Sequence, residues 1–200
     1  MDKTSAIRSA LNKLGERNFT ENSSNYAICL EEWNRALLYA SAAHSWTFTR
    51  SIITLQPRKT QTEDDLLLYD YPPDSLSIIQ LVDHNGQRIT WRPYANRTLI
   101  TIGATTEHPT CIYNNNSLTC TNELPDSDPA FLNFFIALLA SYIAPCVLGG
   151  ELGITAAQTL MQEALTYLNE ARTRDAQQYA SNDDSDPIRT YLRLNSSVRL

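Results

Sequence analysis

The residues able to do chemistry are few and scattered. The 200-residue chain has three histidines, His44, His84 and His108. His108, Cys111 and Cys120 could supply metal ligands. No CxxC pair or fourth ligand accompanies them, and a structural zinc site needs four. A second reading has geometry behind it: if Asn115-Asn116 forms a two-residue turn, Cys111 and Cys120 face each other across a β-hairpin. His44 stands before Trp46 at a predicted helix end, where a capping or packing role is expected. His84 adjoins a turn and is expected to be exposed.

The carboxylates have simpler explanations than catalysis. Glu63-Asp64-Asp65 falls in a polar loop. Asp126 and Asp128 precede a helix and suit its positive end. Asp183, Asp184 and Asp186 lie in a linker that cannot fix metal geometry by itself. The sequence holds no Gly-rich phosphate loop, no GxSxG and no HExxH. Catalysis needs convergent titratable groups. No catalytic residue, metal or cofactor is therefore assigned, and no enzymatic turnover is expected. Trp33, Trp46 and Trp91 stand near apolar stripes and are read as core.

The elements that would position these residues begin with the most apolar stretch. Phe131, Phe134, Phe135, Leu138, Leu139, Tyr142, Ile143 and Cys146 recur by threes and fours, which puts them on one helical face. Asp128 is the expected N-cap and Pro129 suits the first helical position. Pro145 is expected to kink or end this helix, with Gly149, Gly150 and Gly153 breaking the chain. Ala157, Leu160, Met161, Ala164, Leu165 and Leu168 resume the pattern, so two long amphipathic helices form a helical hairpin. The stripe fades after Leu168, though helix formers continue to Gln178. Such a polar end is expected to project into solvent or meet a neighbouring subunit.

Nearer the N-terminus, Ile7, Ala10, Leu11 and Leu14 predict a short helix ending at Gly15. Ser23 or Ser24 can cap a second, carrying Tyr26, Leu30, Trp33, Leu37 and Ala40 on one face. The middle changes character. Ile52 to Leu55, Leu66 to Tyr69, Ser75 to Asp83, Ile89 to Tyr94, Thr98 to Ile102 and Thr110 to Tyr113 read as strands. Asn85-Gly86 is the strongest hairpin signal, and Asn114-Asn115-Asn116 is read as a turn with a return through Leu118 to Cys120. The expected fold is α+β and mainly α. An antiparallel helical bundle (residues 1–50 and 125–180, two N-terminal and two long C-terminal helices) carries an inserted antiparallel β subdomain (51–124). An extended C-terminal tail follows (181–200).

That tail is the strongest candidate for binding. After the acidic linker 181–186, Ile188, Thr190, Leu192 and Leu194 alternate with Arg189, Tyr191, Arg193 and Asn195. Period two in a tail is what a strand donated to a partner's sheet would display. Return to its own β subdomain, or disorder, is the other possibility.

Composition limits the partners. Hydrophobic residues make up 42% of the chain, enough for a sizeable core, and the net charge is −6. An acidic balance disfavours coating nucleic acid. Charged residues Asp2, Lys3, Arg8 and Lys13 interrupt the N-terminus, so no signal peptide is expected and the four cysteines are read as thiols. Asn133, Ser141 and Pro145 break the longest apolar run, which is not expected to span a membrane.

The order of features is more specific than any one of them. Ala10-Leu-Asn-Lys-Leu-Gly-Glu16 comes first, then Trp33-Asn-Arg-Ala-Leu-Leu38 leading into His44-Ser-Trp-Thr-Phe48. Tyr71-Pro-Pro-Asp-Ser-Leu76, Trp91, Leu99-Ile-Thr101, Cys111-Ile-Tyr113 and the helical pair from Pro129 follow. Over roughly residues 5–180 this series resembles the head-to-tail adaptors of short-tailed bacteriophages, the tail tubular protein A family of gatekeeper-type connectors. The chain departs from the family at Ser45, where Pro is frequent, and at Pro72-Pro73, where Leu-Pro is frequent.

The resemblance implies a structural virion protein assembled in the host cytoplasm. It would form a homo-oligomeric ring of 12 copies at the head–tail junction, between the portal protein and the tail nozzle. Helices would line the channel for double-stranded DNA, and the β subdomain would lie near nozzle or fibre proteins. Twelve copies at −6 give roughly −72, so passing DNA would be repelled rather than held. On this reading Ile188, Arg189, Tyr191, Leu192, Arg193, Leu194 and Arg199 are the expected portal-binding residues. The alternatives are another phage connector, stopper or assembly protein, or a hydrolase whose acidic groups converge only in space.

Overall fold

The computed structural model describes residues 1–17, 20–58, 67–102, 107–120, 123–126 and 128–181. Within them lie five α-helices and two three-stranded antiparallel sheets, an α+β fold. The chain divides into two compact units, one from Met1–Phe48 with Ser117–Gln178, the other built on Thr49–Asn116.

In the helical unit, α1 spans Lys3–Lys13. Asp2 caps it by accepting from the Ser5 N–H at 2.8 Å. At the far end, Gly15 takes a φ of +85°, the Gly15 N–H donates to Asn12 O, and the Glu16 N–H donates to Leu11 O. That is a Schellman closure, which needs a residue tolerant of left-handed backbone. Helix α2 (Ser24–Ala43) is capped by Ser23, whose hydroxyl accepts from the Tyr26 N–H. Its buried face is Cys29, Trp33, Ala36, Leu37, Ala40 and Ser41, so the expected face is rotated and Leu30 is exposed.

Helix α4 (Pro129–Leu148) is the centre of this unit. Asp128 Oδ1 accepts from the Ala130 and Phe131 N–H groups, with Pro129 in the first turn. The single-face expectation fails here. Ile136, Ala137, Ala140 and Ala144 are buried beside Phe131, Phe134, Phe135, Leu138, Leu139 and Ile143, while Cys146 is exposed. The sequence is apolar all round, so no polar face orients it and neighbouring helices cover several sides. By length and composition α4 could cross a membrane, but in this fold it is mostly buried.

Pro145 does not end α4, which runs three residues further. A proline this late removes only the bond to Ser141 O, and the Gly149 N–H then closes the helix on Pro145 O. Gly149 and Gly150 turn the chain with φ of +68° and +55°. Gly153, expected as a breaker, lies inside α5 (Gly150–Ser181). A Cβ there would meet Ala144 O at 2.9 Å, so this glycine permits close contact of the two helices. Leu160, Ala164, Leu168 and Ala171 of α5 are buried, whereas Ala157, Met161 and Leu165 are half-buried.

In the other unit, β1 (Arg50–Thr54), β6 (Thr110–Asn115) and β3 (Ser75–Val82) form one sheet in the order β1-β6-β3. The second, from β2 (Leu68–Asp70), β5 (Thr98–Ile102) and β4 (Thr90–Tyr94), has the order β2-β5-β4. Leu81, Cys111 and Tyr113 of the first pack with Tyr69 and Leu99 of the second. Two expectations are corrected. The Asn85-Gly86 turn exists, but its ladder ends at the Val82–Arg88 bridge and the Ile89 N–H to Leu81 O bond. β4 then leaves to pair with β5. Asn114 and Asn115 belong to β6, and Ser117–Cys120 is one turn of helix, α3. No hairpin returns to Cys120, and Cys111 instead stands opposite Ile53 and Leu81.

Candidate functional site

The expected portal-binding residues, Ile188, Arg189, Tyr191, Leu192, Arg193, Leu194 and Arg199, lie outside the described residues, as do Glu63-Asp64-Asp65 and the acidic linker. His84 and His108 are exposed. Cys111 is buried in the β core, where desolvation pushes its thiol up to about 12. Such a thiol is a poor source of the thiolate that binds metal. Asp128 is occupied as a helix cap, and Asp126 pairs with the Met1 amino group. Among the described residues, no three of His, Cys, Asp and Glu come together.

One cluster of polar groups does converge, and it is built from the ends of two helices. α2 ends at Ala43, leaving its last carbonyls without helical partners. The Trp46 indole N–H reaches back to Ala40 O at 2.8 Å, and the Arg172 guanidinium of α5 donates to Ala43 O. A cation at this end also suits the helix dipole. One turn beyond Arg172, Asp175 is buried. Its Oδ1 accepts from the Thr47 N–H at 2.9 Å, and its Oδ2 lies 3.1 Å from His44 Nε2. His44 meets Trp46 edge-on with ring centroids 4.8 Å apart.

Trp46 in turn stacks on Phe48 and meets Phe131 edge-on at 5.0 Å, tying the cluster to α4. His44 is thus a packing residue that also holds a carboxylate. The sequence reading missed Asp175, although a signal for it exists. Leu160, Ala164, Leu168, Ala171 and Asp175 are spaced by fours and threes, so Asp175 occupies a position of the buried stripe. As far as Asp175, the α5 segment expected to project or meet a neighbour is held within its own unit.

Two further features are open to partners. An open groove of about 280 Å3 between α4 and α5 is lined by Ser141, Tyr142, Ala157, Gln158, Met161 and Gln162. The Arg35 guanidinium lies 4.6 Å from the Tyr142 ring centre. Leu152 and Ile154, in the first turns of α5, are 68% and 56% exposed. In the β unit, the YPPDS segment is a structural clamp. Arg97 Nη2 donates to Pro72 O, Ser75 O and Ser75 Oγ, and the Tyr113 hydroxyl donates to Asp74 Oδ1 at 3.0 Å.

No protein-family model matches the sequence, and no curated protein matches it.

Proposed function

We propose that this chain is a head-to-tail adaptor of a short-tailed bacteriophage, a structural protein that forms a ring between portal and tail nozzle. The observation carrying this reading is the ordered series of segments from Ala10 to the helical pair at Pro129. Several of those segments have structural work in this fold. Leu14-Gly15 closes α1, Trp33 and Leu37 are core, His44 to Phe48 joins the ends of α2 and α5, and Pro72 to Ser75 is held by Arg97. A family that shared the fold would have a physical reason to keep them.

Other features support the reading. Exposed Leu152, Ile154 and Leu38 offer apolar surface to a neighbouring copy. The net charge of −6 suits a channel wall past which DNA slides without adhering. On this proposal twelve copies assemble on the portal, residues 188–199 bind it, and the distal side receives nozzle or fibre proteins. The protein resides in the virion and performs no catalysis. Mixing the purified chain with purified portal rings and imaging the product tests it. Rings carrying one adaptor copy per portal subunit are expected. A portal that stays bare at micromolar adaptor overturns the proposal.

A further inference from the structure

The long helix α5 is held in two chemically different ways along its length. From Gly153 to Leu168 the buried contacts are apolar and close, Gly153 against Ala144 and Pro145, then Leu160, Ala164 and Leu168, with the partly exposed Lys13–Glu163 ion pair beside them. Between Asn169 and Gln177, Ala171 is the one buried apolar side chain, and a methyl group supplies little burial energy. What fixes this part is polar: Asp175 with His44 Nε2 and the Thr47 N–H, and Arg172 on Ala43 O. Water can replace each of these partners, whereas nothing in water replaces apolar contact.

We infer that residues 169–178 of α5 form a releasable arm, latched to the end of α2 by Asp175 and Arg172, that opens without unfolding the helical unit. The surface left behind is already organised. The Trp46 indole keeps its bond to Ala40 O, and its ring keeps Phe48 and Phe131. Opening therefore costs mainly the exchange of polar partners, which places the arm at the low end of the stability range within the fold. The arm leads directly into residues 182–200. If the adaptor reading holds, a partner that captures the tail can draw on this mobility, and the latch sets how readily the tail is presented.

Hydrogen exchange read by mass spectrometry on the full chain tests the latch without any partner. In the wild type, amides of 169–178 should exchange at least tenfold faster than those of 160–168. Asp175→Asn and Arg172→Ala should each speed exchange in 169–178 by a further fivefold or more, with 131–144 still exchanging at least tenfold more slowly than 169–178 in each variant. The α4 amides thus serve as the control for folding. Equal exchange across 160–178 in the wild type, or variants in which 169–178 exchange no faster than 131–144, overturns the arm and makes α5 one cooperative unit. A separate run with portal rings keeps the two proposals apart: absence of binding bears on the adaptor reading and leaves the latch result standing.

Discussion

The carboxylate of Asp175 sits 3.1 Å from His44 Nε2 although 131 positions separate the two in sequence. The same carboxylate takes the Thr47 N–H with its other oxygen. One buried acid thus joins the backbone that leaves α2 to helix α5. His44→Ala and Asp175→Ala should each destabilise the protein, the second more, because it also strands the Thr47 N–H. About 1–3 kcal/mol is expected for Asp175→Ala. The double variant should lose less than the sum of the singles by about 0.5–1.5 kcal/mol, the coupling between the pair. Denaturant midpoints and slopes of the four proteins measure it, and strict additivity would remove the interaction from the account.

The two hairpin leucines now part company. Leu138 is fully buried in α4 and Leu165 is half-buried on α5. Leu138→Ala should cost about 2–5 kcal/mol, in line with truncation inside a packed core. Leu165→Ala should cost less than half as much. Equal losses in urea unfolding would mean that α5 is packed more deeply than its exposure indicates.

Gly153 sets two effects against each other. Alanine in a helix interior is favoured over glycine by about 1 kcal/mol. At Gly153, however, the new Cβ would lie 2.9 Å from Ala144 O and 3.0 Å from the Pro145 Cα, both backbone atoms that cannot swing aside. Overpacking of this kind costs about 1–3 kcal/mol, so the clash should win. Gly153→Ala is expected to lower the melting temperature, and Gly153→Val to lower it further. A rise for Gly153→Ala would show that α4 and α5 can slide apart freely.

These cases show which parts of the fold were legible in sequence. Caps are local chemistry, so Ser23, Gly15, Asp128 and Pro129 could be read directly. The α4 face could not, because a helix apolar on all sides carries no orientation. Pairing of strands is a long-range matter: Asn85-Gly86 announced a turn but could not announce that β4 would desert β3 for β5. Asp175 was hidden because a charged residue interrupts an apolar pattern even where it keeps the spacing. Its partners, His44 and the Thr47 N–H, come from a distant segment that periodicity does not connect.

Cysteine chemistry gives a pH prediction. Burial raises the Cys29 thiol to about 11 and Cys111 to about 12, while Cys146 is exposed. At pH 8 a thiol reagent followed by peptide mass spectrometry should label Cys146 within minutes and spare Cys29 and Cys111 until the protein unfolds. Below about 9.0, the ordinary value, both states keep the Cys111 proton and nothing is lost. Above it the unfolded chain ionises first, so stability falls as pH climbs towards about 12. One such group contributes a slope of about 1.4 kcal/mol per pH unit. Tyr69, Tyr71 and Tyr113 are also raised by burial and act in the same direction at higher pH. Cys111→Ala should therefore flatten the decline between pH 9 and 10.5 without abolishing it. An unchanged slope would mean that the thiol ionises as easily in the fold as out of it.

The C-terminal tail carries the sharpest consequence of the adaptor proposal. Ile188, Thr190, Leu192 and Leu194 offer one apolar edge, and Arg189, Tyr191, Arg193 and Arg199 offer cationic and aromatic groups suited to an acidic partner. Ordering such a segment on a partner costs roughly 1–2 kcal/mol per backbone residue, which strand-type hydrogen bonds and side-chain pockets must offset. One tail should then bind weakly, while copies arrayed on a single portal act together, so assembly should rise steeply with concentration. Deleting residues 187–200 should leave helical circular dichroism and the melting temperature unchanged and abolish decoration of portal rings. Replacing Arg189 and Arg193 by Glu in the full chain should weaken assembly and make it less sensitive to salt. Normal decoration by the truncated protein would move the binding surface elsewhere, with exposed Leu152 and Ile154 as the next candidates. Loss of the fold on truncation would instead make the tail an internal strand and end its role as a free binding element.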